Sequence, residues 1–261
     1  MNLIRTVSRT ATAAALAAAL SAASVHGVAA TPLTDKTSKV NRLNQPVDDG
    51  SWSGDGLSLN PADNAAVDAF YDRATQAERT ISPQVRAAAR ISGAEVIGFD
   101  YRLKSPDSLK RKVATSLKEH PGQEVNEALA EIKDSVRYTL QWPDGRYAQG
   151  VTVASEVLSA WGNGSTKWSN TWARGKGYKA INSAWRELSS QHVFEVQFHT
   201  PASKNAQEVT HKLYEEQRLP TTSPERAREL QAQQDTIFAA VPVPPGADRL
   251  TAPASTRVPV G

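Results

Sequence analysis

Hydrophobic and polar side chains alternate most regularly between residues 194 and 199, where the sequence reads Phe-Glu-Val-Gln-Phe-His. Successive side chains of a β-strand point to opposite faces of its sheet. The three apolar residues therefore predict a buried face, and Glu195, Gln197 and His199 predict a polar row on the opposite face. A row that joins a carboxylate, an amide and an imidazole is typical of a ligand site.

Similar patterns predict a series of helices and strands after residue 60. Apolar residues three and four apart, with Ser-Pro or Asn-Pro at several starts, predict helices over residues 61–79, 82–92, 106–120, 122–133, 147–161, 203–218 and 223–240. Alternating or β-branched runs predict strands over residues 95–103, 135–141, 167–173, 178–188 and 192–200. This order favours one α+β domain, in which a mixed β-sheet is flanked by helices.

Three segments lie outside the predicted domain, which covers residues 61–240. Residues 1–30 contain two arginines, an alanine-rich apolar run and small residues up to Ala30, a pattern typical of a secretory signal peptide. We therefore expect a secreted, extracellular protein that is cleaved near Ala30. Residues 31–60 have no sustained period and predict a flexible leader, and the proline-rich residues 241–261 predict an extended tail.

The composition narrows the possible chemistry. The chain has no cysteine, which excludes cysteine nucleophiles and zinc ribbons and leaves packing to stabilise an exported fold. After residue 30 no apolar run approaches the ~18 residues that a membrane span needs, so we expect no membrane anchor. The net charge of +3 and the isoelectric point near 9.1 are compatible with binding of nucleotides, nucleic acid or anionic envelope polymers.

Cations are concentrated in two short segments, residues 102–112 and 174–179. In the first segment, Ser105 followed by proline predicts a helix start. Ser108, Arg111 and Lys112 then share one helix face, because they are three and four residues apart. Helix-start N–H groups, a hydroxyl and several cations would converge on one anion. Together with the carboxylate of the 194–199 strand, this segment predicts a site for a polyphosphate and Mg²⁺.

Several common enzyme classes lack their motifs in this sequence. A serine hydrolase of the nucleophile-elbow type has Gly-x-Ser-x-Gly, a zinc protease has His-Glu-x-x-His, and a P-loop kinase has Gly-x₄-Gly-Lys-Ser/Thr, and none of these occurs. The alternative that stays open is a non-catalytic secreted basic module that binds nucleic acid or an anionic envelope polymer through the two cationic segments. Release of AMP from ATP in the presence of an acceptor distinguishes an enzyme from such a module.

Four motifs in one order resemble the synthetase domain of Rel/SpoT homologues. They are Arg102-x-Lys104-x₃-Ser108-x₃-Lys112, Ile132-x-Asp134, Gly177-Tyr178-Lys179-Ala180-Ile181 and Glu195-x-Gln197-x-His199-Thr200. The resemblance covers roughly residues 95–218 and, with the predicted export signal, is greatest to the secreted bacterial ATP:nucleotide 3′-pyrophosphokinases. It implies a nucleotidyltransferase-like domain that transfers the β,γ-pyrophosphate of ATP to the 3′-hydroxyl of purine nucleotides, giving products of the pppApp and ppGpp type.

The resemblance also implies roles for individual residues. Glu195 and Asp134 are expected to act in catalysis and to bind Mg²⁺ or another divalent cation. The residues expected to bind ATP, the donor, are Arg102, Lys104, Ser108, Lys112 and either Arg137 or Arg146. Those expected to bind the adenine or guanine nucleotide acceptor are Tyr178, Arg174, Lys176, Gln197 and His199. The resemblance implies no obligate protein partner.

The chain departs from the family pattern on the acceptor side. Arg137 follows Asp134 by only three residues, Asn182 replaces a usual histidine, and His199 stands where arginine is common. Guanine specificity is therefore not expected. The length leaves no room for a partner hydrolase or regulatory domain, which implies a synthetase domain alone.

Overall fold

The computed structural model describes residues 49–219 and 221–254, so the predicted signal peptide, most of the predicted leader and the end of the tail lie outside the described residues. The helices are α1 (Pro61–Ser92), α2 (Pro106–Glu119), α3 (Val125–Ala130), α4 (Asp144–Ala160), α5 (Pro201–Gln217) and α6 (Pro224–Ala239). The strands are β1 (Trp52–Gly54), β2 (Leu57–Leu59), β3 (Glu95–Ile97), β4 (Arg137–Gln141), β5 (Gly164–Asn170), β6 (Ile181–Arg186) and β7 (Val193–His199).

A mixed five-stranded sheet has the order β3-β4-β7-β6-β5. Strands β4 and β7 are parallel, and the other neighbouring pairs are antiparallel. Register places Arg137 beside Glu195 and Thr139 beside Gln197, and on the other side of β7 it places Asn182 beside Gln197. Paired residues share a sheet face, so a polar row crosses three strands. The predicted α+β class, with a mixed sheet flanked by helices, is confirmed.

The main core lies on the opposite face of the sheet. Alternating residues of β4 and β7 pack there against α1 and α4, as the 194–199 pattern predicts. The fully buried members include Tyr138, Leu140, Phe194, Phe198, Trp142, Trp172 and Trp185. Because this face buries the large apolar side chains, the polar row opposite is left for other contacts.

A smaller cluster holds α2 in place. Apolar residues of α1, α2, α3 and β2 pack together in it. Its buried members are Leu59, Val67, Leu109, Val113, Ala114, Ala128, Leu129 and Ile132. The cluster buries one side of α2, which carries Lys112 of the predicted phosphate site and follows directly after Arg102 and Lys104.

The first two predicted helices are one continuous helix. Pro83, expected to start a second helix, lies inside α1 on an exposed position. The buried stripe of α1 continues across it, from Ala77 and Ile81 to Val85 and Ala88. A proline inside a helix costs about 3 kcal/mol, and burial of the three apolar residues that follow it, Val85, Ala88 and Ala89, offsets that cost. The Ser-Pro pair was therefore wrong as a helix boundary.

Other boundaries also differ from prediction. The strand predicted over 95–103 is confined to Glu95–Ile97, and a 3₁₀ turn follows at Phe99–Tyr101. Residues 52–59 of the predicted leader form the β1–β2 hairpin. In the predicted tail, Val241 and Ala247 are buried in the main core. In the part of the chain that the structure describes, no helix is long and apolar enough to cross a membrane.

Candidate active site

Two lysines and an aspartate form a buried ionic cluster where α2 meets the start of β4. Lys112 Nζ lies 2.7 Å from Asp134 Oδ1, and Lys104 Nζ lies 3.2 Å from Asp134 Oδ2. The Lys104 backbone N–H donates to the Ser135 carbonyl at 2.9 Å, which fixes its segment beside β4. Three residues that the sequence assigned to phosphate and metal binding are thus brought together.

The electrostatics of this cluster keep Asp134 ionised. Burial disfavours its carboxylate, but the charges of Lys104 and Lys112 outweigh burial and hold the pKa of Asp134 below its usual value. Lys104 is also almost completely buried, and burial lowers its pKa, helped by Lys112 and Arg137 and opposed by Asp134. A positive charge excess in a desolvated site is suited to a polyphosphate.

The second carboxylate lies on the adjacent strand with the opposite pKa shift. Burial raises the pKa of Glu195, and the Asp134 charge adds to this, whereas Arg137 opposes it. The Gln197 side-chain amide donates to Glu195 Oε1 at 2.5 Å and fixes its orientation. Glu195 therefore has a raised proton affinity and a defined direction, which are the properties of a general base.

The donor set fits a hard divalent cation held by few protein ligands. Asp134 Oδ2 is buried and, apart from its ion pair with Lys104, has no hydrogen bond of good geometry. The residues that the structure describes contain no group of three or more His, Cys, Asp or Glu side chains that could hold a metal. Mg²⁺ is commonly bound by one or two carboxylates together with substrate phosphates, and Asp134 and Glu195 match that pattern.

Tyr178 is held by a chain of hydrogen bonds that reaches into the fold. Its hydroxyl lies 2.9 Å from His199 Nε2 and donates to Asn182 Oδ1 at 3.1 Å. His199 Nδ1 lies 2.9 Å from the Ser203 hydroxyl. The ring is half-buried, and its neighbours are His199 and Phe238, both edge-on. Tyr178 is therefore a fixed aromatic ring next to the polar row.

His199 itself is fully buried. Burial, with the charges of Lys204 and Arg137, lowers the pKa of His199 to about 3, so it is neutral. A buried neutral imidazole that is hydrogen-bonded to two side chains supports Tyr178. This geometry does not favour the direct contact between His199 and the acceptor nucleotide that the resemblance implies. Gln197 is also buried, and it contacts Glu195.

Three cations of the 102–112 segment have protein partners instead of a shared anion site. Lys110 is one of them, since its Nζ lies 2.8 Å from Asp68 Oδ1. The Arg102 guanidinium forms an ion pair with buried Glu78 and lies 4.4 Å from the Phe99 ring centre. Arg111 pairs with Asp55 and Asp107, so it does not join Ser108 and Lys112 as expected. The side chain of Arg102 is 26% exposed, which leaves part of the guanidinium accessible.

The remaining predicted residues are spread over the structure. The hydroxyl of Ser105 caps α2 by accepting from the Ser108 N–H at 3.2 Å. Arg174 and Lys176 are exposed in the loop before β6. Arg146 lies on α4, which packs on the apolar side of the sheet. Its Nη2 is close to Gly93, and a Cβ added to that glycine would lie 2.2 Å from it. Of the two alternatives for the ATP site, Arg137 lies beside Glu195 and Arg146 does not.

Sequence reasoning missed Glu78 and Lys204. Glu78 lies on the buried stripe of α1, at a position where the pattern predicts an apolar residue. Lys204 is buried in the first turn of α5, one residue after Ser203. A signal for Lys204 was available, because polar residues recur on α5 at three- and four-residue spacing where an apolar stripe is usual.

No protein-family model matches this sequence, and no curated protein matches it. The structure is similar to that of the type VI effector Tas1, solved with its immunity protein, at 20% identity and a TM-score of 0.48, over 68% of this chain and 96% of that chain. It is similar to small alarmone synthetase 1 from Bacillus subtilis bound to its product pppGpp, at 16% identity and a TM-score of 0.47, over 67% of this chain and 92% of that chain. A GTP pyrophosphokinase family protein from Streptococcus pneumoniae follows at 15% identity and a TM-score of 0.44, over 65% of this chain and 87% of that chain.

Proposed function

We propose that the protein is a secreted pyrophosphokinase that transfers the β,γ-pyrophosphate of ATP to the 3′-hydroxyl of purine nucleotides. One observation carries the proposal. Lys104 and Lys112 flank an ionised Asp134, and the adjacent strand presents Glu195, whose pKa is raised. Two cations suited to a polyphosphate and a carboxylate suited to accept a hydroxyl proton support the proposal, and the charges of Asp134 and Lys112 both act on Glu195.

The lysines have the roles that phosphoryl-type transfer demands. Negative charge accumulates on the non-bridging oxygens and on the leaving AMP oxygen, so positioning and electrostatic stabilisation account for most of the catalysis. Lys104 and Lys112 would offset this charge, and Ser108 at the start of α2 would add a hydroxyl and a helix-start N–H. The partly exposed Arg102, fixed by Glu78, would contact the donor from the side.

Asp134 and Glu195 would hold the divalent cation, which, when bound, neutralises phosphate charge and orients the pyrophosphoryl group. The pKa of Glu195 is raised by burial and by the Asp134 charge, so its carboxylate accepts a proton more readily than an ordinary glutamate. Glu195 would remove the 3′-hydroxyl proton as the oxygen attacks the β-phosphorus of ATP. Gln197 would keep the carboxylate aimed during that step.

The acceptor base would lie against Tyr178, whose hydroxyl is already held by Asn182 and His199. Base stacking on an aromatic ring contributes about 1–3 kcal/mol and discriminates little between purines. With His199 buried and Asn182 bonded to Tyr178, neither side chain is available to read a guanine edge. We therefore propose broad purine use, with adenine and guanine nucleotides both accepted.

The test is incubation of the purified protein with ATP, Mg²⁺ and a nucleotide acceptor, followed by product analysis. The expected products are AMP and a 3′-pyrophosphorylated nucleotide. ADP with orthophosphate would instead indicate an ATPase, and the absence of any AMP would indicate a binding module. Comparison of kcat/KM for ADP or ATP with that for GDP or GTP tests the acceptor range. A guanine preference above about 10³-fold would require an edge contact and contradict the stacking model.

A further inference from the structure

Helix α5 buries polar residues where a helix usually buries apolar ones. Its buried side chains are Ser203, Lys204, Ala206, Gln207 and Thr210. A polar group without a partner costs free energy when it is buried, so a helix normally directs apolar residues inward. The α5 stripe instead meets the polar row of the sheet, since Ser203 bonds His199.

Lys204 is the one cation among these five buried residues, with 9% of the residue exposed. Its Nζ donates to Gln207 Oε1 at 2.9 Å and lies 3.4 Å from Glu208 Oε1. The Glu208 side chain is 62% exposed, and a long ion pair with an exposed carboxylate contributes little to stability. Burial accordingly lowers the pKa of Lys204. The ammonium group is thus desolvated without a buried counter-charge of matching strength.

A second cation, Arg137, acts on the same region. Its charge lowers the pKa of both Lys204 and His199, and its register position is beside Glu195. Like charges that are close in a desolvated region repel one another. An anion beside Lys204 would offset the charge of its buried ammonium group and relieve this repulsion.

We infer that Lys204 binds the 5′-phosphate of the acceptor nucleotide. This inference rests on the proposed function, in which the acceptor 3′-hydroxyl lies at Glu195. From Glu195 to His199 the strand advances four residues, about 13 Å at ~3.3 Å per residue. The first turn of α5, which carries Lys204, follows His199 directly and lies about one nucleotide's length from Glu195. The donor phosphates are assigned to Lys104 and Lys112 at the other side of Glu195, so the two nucleotides use separate cations.

The experiment measures steady-state kinetics of Lys204→Met with ATP as donor and GDP as acceptor. The KM for GDP is expected to rise about 10- to 100-fold, because one charge-assisted phosphate contact is lost. The KM for ATP as donor should stay within about twofold. In wild type, GDP should also be preferred to guanosine, and Lys204→Met should reduce that preference by the same factor.

Control variants separate a phosphate contact from a structural role. Lys212→Met removes an exposed lysine from the same helix and should leave all constants unchanged. Lys204→Arg keeps the positive charge and should retain most of the wild-type affinity for GDP. If circular dichroism shows that Lys204→Met does not fold, Lys204→Gln takes its place in the kinetics. Equal losses for donor and acceptor, or a fall in kcat with an unchanged KM for GDP, would overturn the inference. A wild-type protein that releases no AMP with any acceptor would instead refute the proposed function.

Discussion

At the scale of single residues, the two carboxylates of the site have opposite electrostatic surroundings. Asp134 is contacted by two lysines and stays ionised, whereas Glu195 is partly desolvated and faces the Asp134 charge. Environments that move two pKa values apart divide the roles between the two groups. Asp134 is suited to hold charge throughout the reaction, and Glu195 is suited to take up a proton.

This division predicts the effect of Glu195→Gln. The substitution keeps the size and the polar character of the side chain, and the buried neighbours Phe194 and Val196 are unchanged, so the fold should be retained. Turnover should fall by about 10² or more, because a base and a metal ligand are lost together. Glu95→Gln, which changes an exposed glutamate on β3, serves as control and should be near wild type. A Glu195→Gln enzyme with near-native turnover would remove Glu195 from the reaction.

Strand β7 shows how much of the site a sequence pattern can predict. The alternation in β7 correctly predicted which face Glu195, Gln197 and His199 share. It did not predict how deeply these side chains are buried, because burial depends on which elements cover that face of the sheet. Thr200 caps α5 immediately after β7 and brings Ser203 onto His199. That contact turns an expected acceptor ligand into a buried support for Tyr178.

At the scale of elements, type and order were largely predictable from the sequence, and several boundaries were not. The strongly periodic segments that became α2, α5, α6 and β7 were predicted within about three residues. The β1–β2 hairpin was missed because its strands are three residues each and its stabilising contacts come from elsewhere in the chain. Trp52 Nε1 donates to Asp107 at 3.1 Å, and Asp55 pairs with Arg111. Such long-range partners leave no periodic signal in the sequence.

Helix α4 allows a matched test of packing with two glycines. At Gly150 a Cβ would lie 2.3 Å from Nε1 of the buried Trp142, which itself donates to the Ser92 carbonyl. Gly150→Ala should therefore lower the free energy of unfolding by about 1–3 kcal/mol, since overpacking outweighs the ~1 kcal/mol gain in helix propensity. At Gly145 a Cβ meets nothing within 4 Å, so Gly145→Ala should be neutral or stabilising by up to about 1 kcal/mol. Urea unfolding of both variants measures the difference, and equal effects would contradict the close approach of α4 to Trp142.

At the scale of the whole molecule, the β-sheet has one apolar face and one polar face. The apolar face, covered by α1 and α4, stabilises the fold. The polar face holds ionisable groups at a cost in stability: Lys104, Lys204 and Glu195 all have pKa values shifted against their charged forms by burial. Natural proteins retain such costs where function needs them. A site of this kind is expected to make stability sensitive to pH.

Two histidines, the buried His199 and the half-buried His192, determine the direction of that sensitivity. Burial lowers the pKa of His199 to about 3 and that of His192, which lies 3.0 Å from the Ser135 hydroxyl, to about 4. In the unfolded chain both titrate near 6.5. Between those values the unfolded state binds more protons, so the stability that they contribute is present above pH 6.5 and is lost as the pH falls. Glu195, whose folded pKa is raised, offsets part of this loss.

The free energy of unfolding should therefore fall by about 1–2.5 kcal/mol per pH unit between about pH 6 and pH 5, before most carboxylates titrate. Urea unfolding at pH 7, 6 and 5 measures the slope, with equal m-values as the check that one transition is compared throughout. His192→Gln should reduce the slope by up to about 1.4 kcal/mol per pH unit, because one proton fewer is taken up on unfolding. A slope near zero in the wild-type protein would mean that His192 and His199 protonate in the folded state. The hydrogen bonds that join His199 to Tyr178 and to Ser203 would then not hold Tyr178 in the way described.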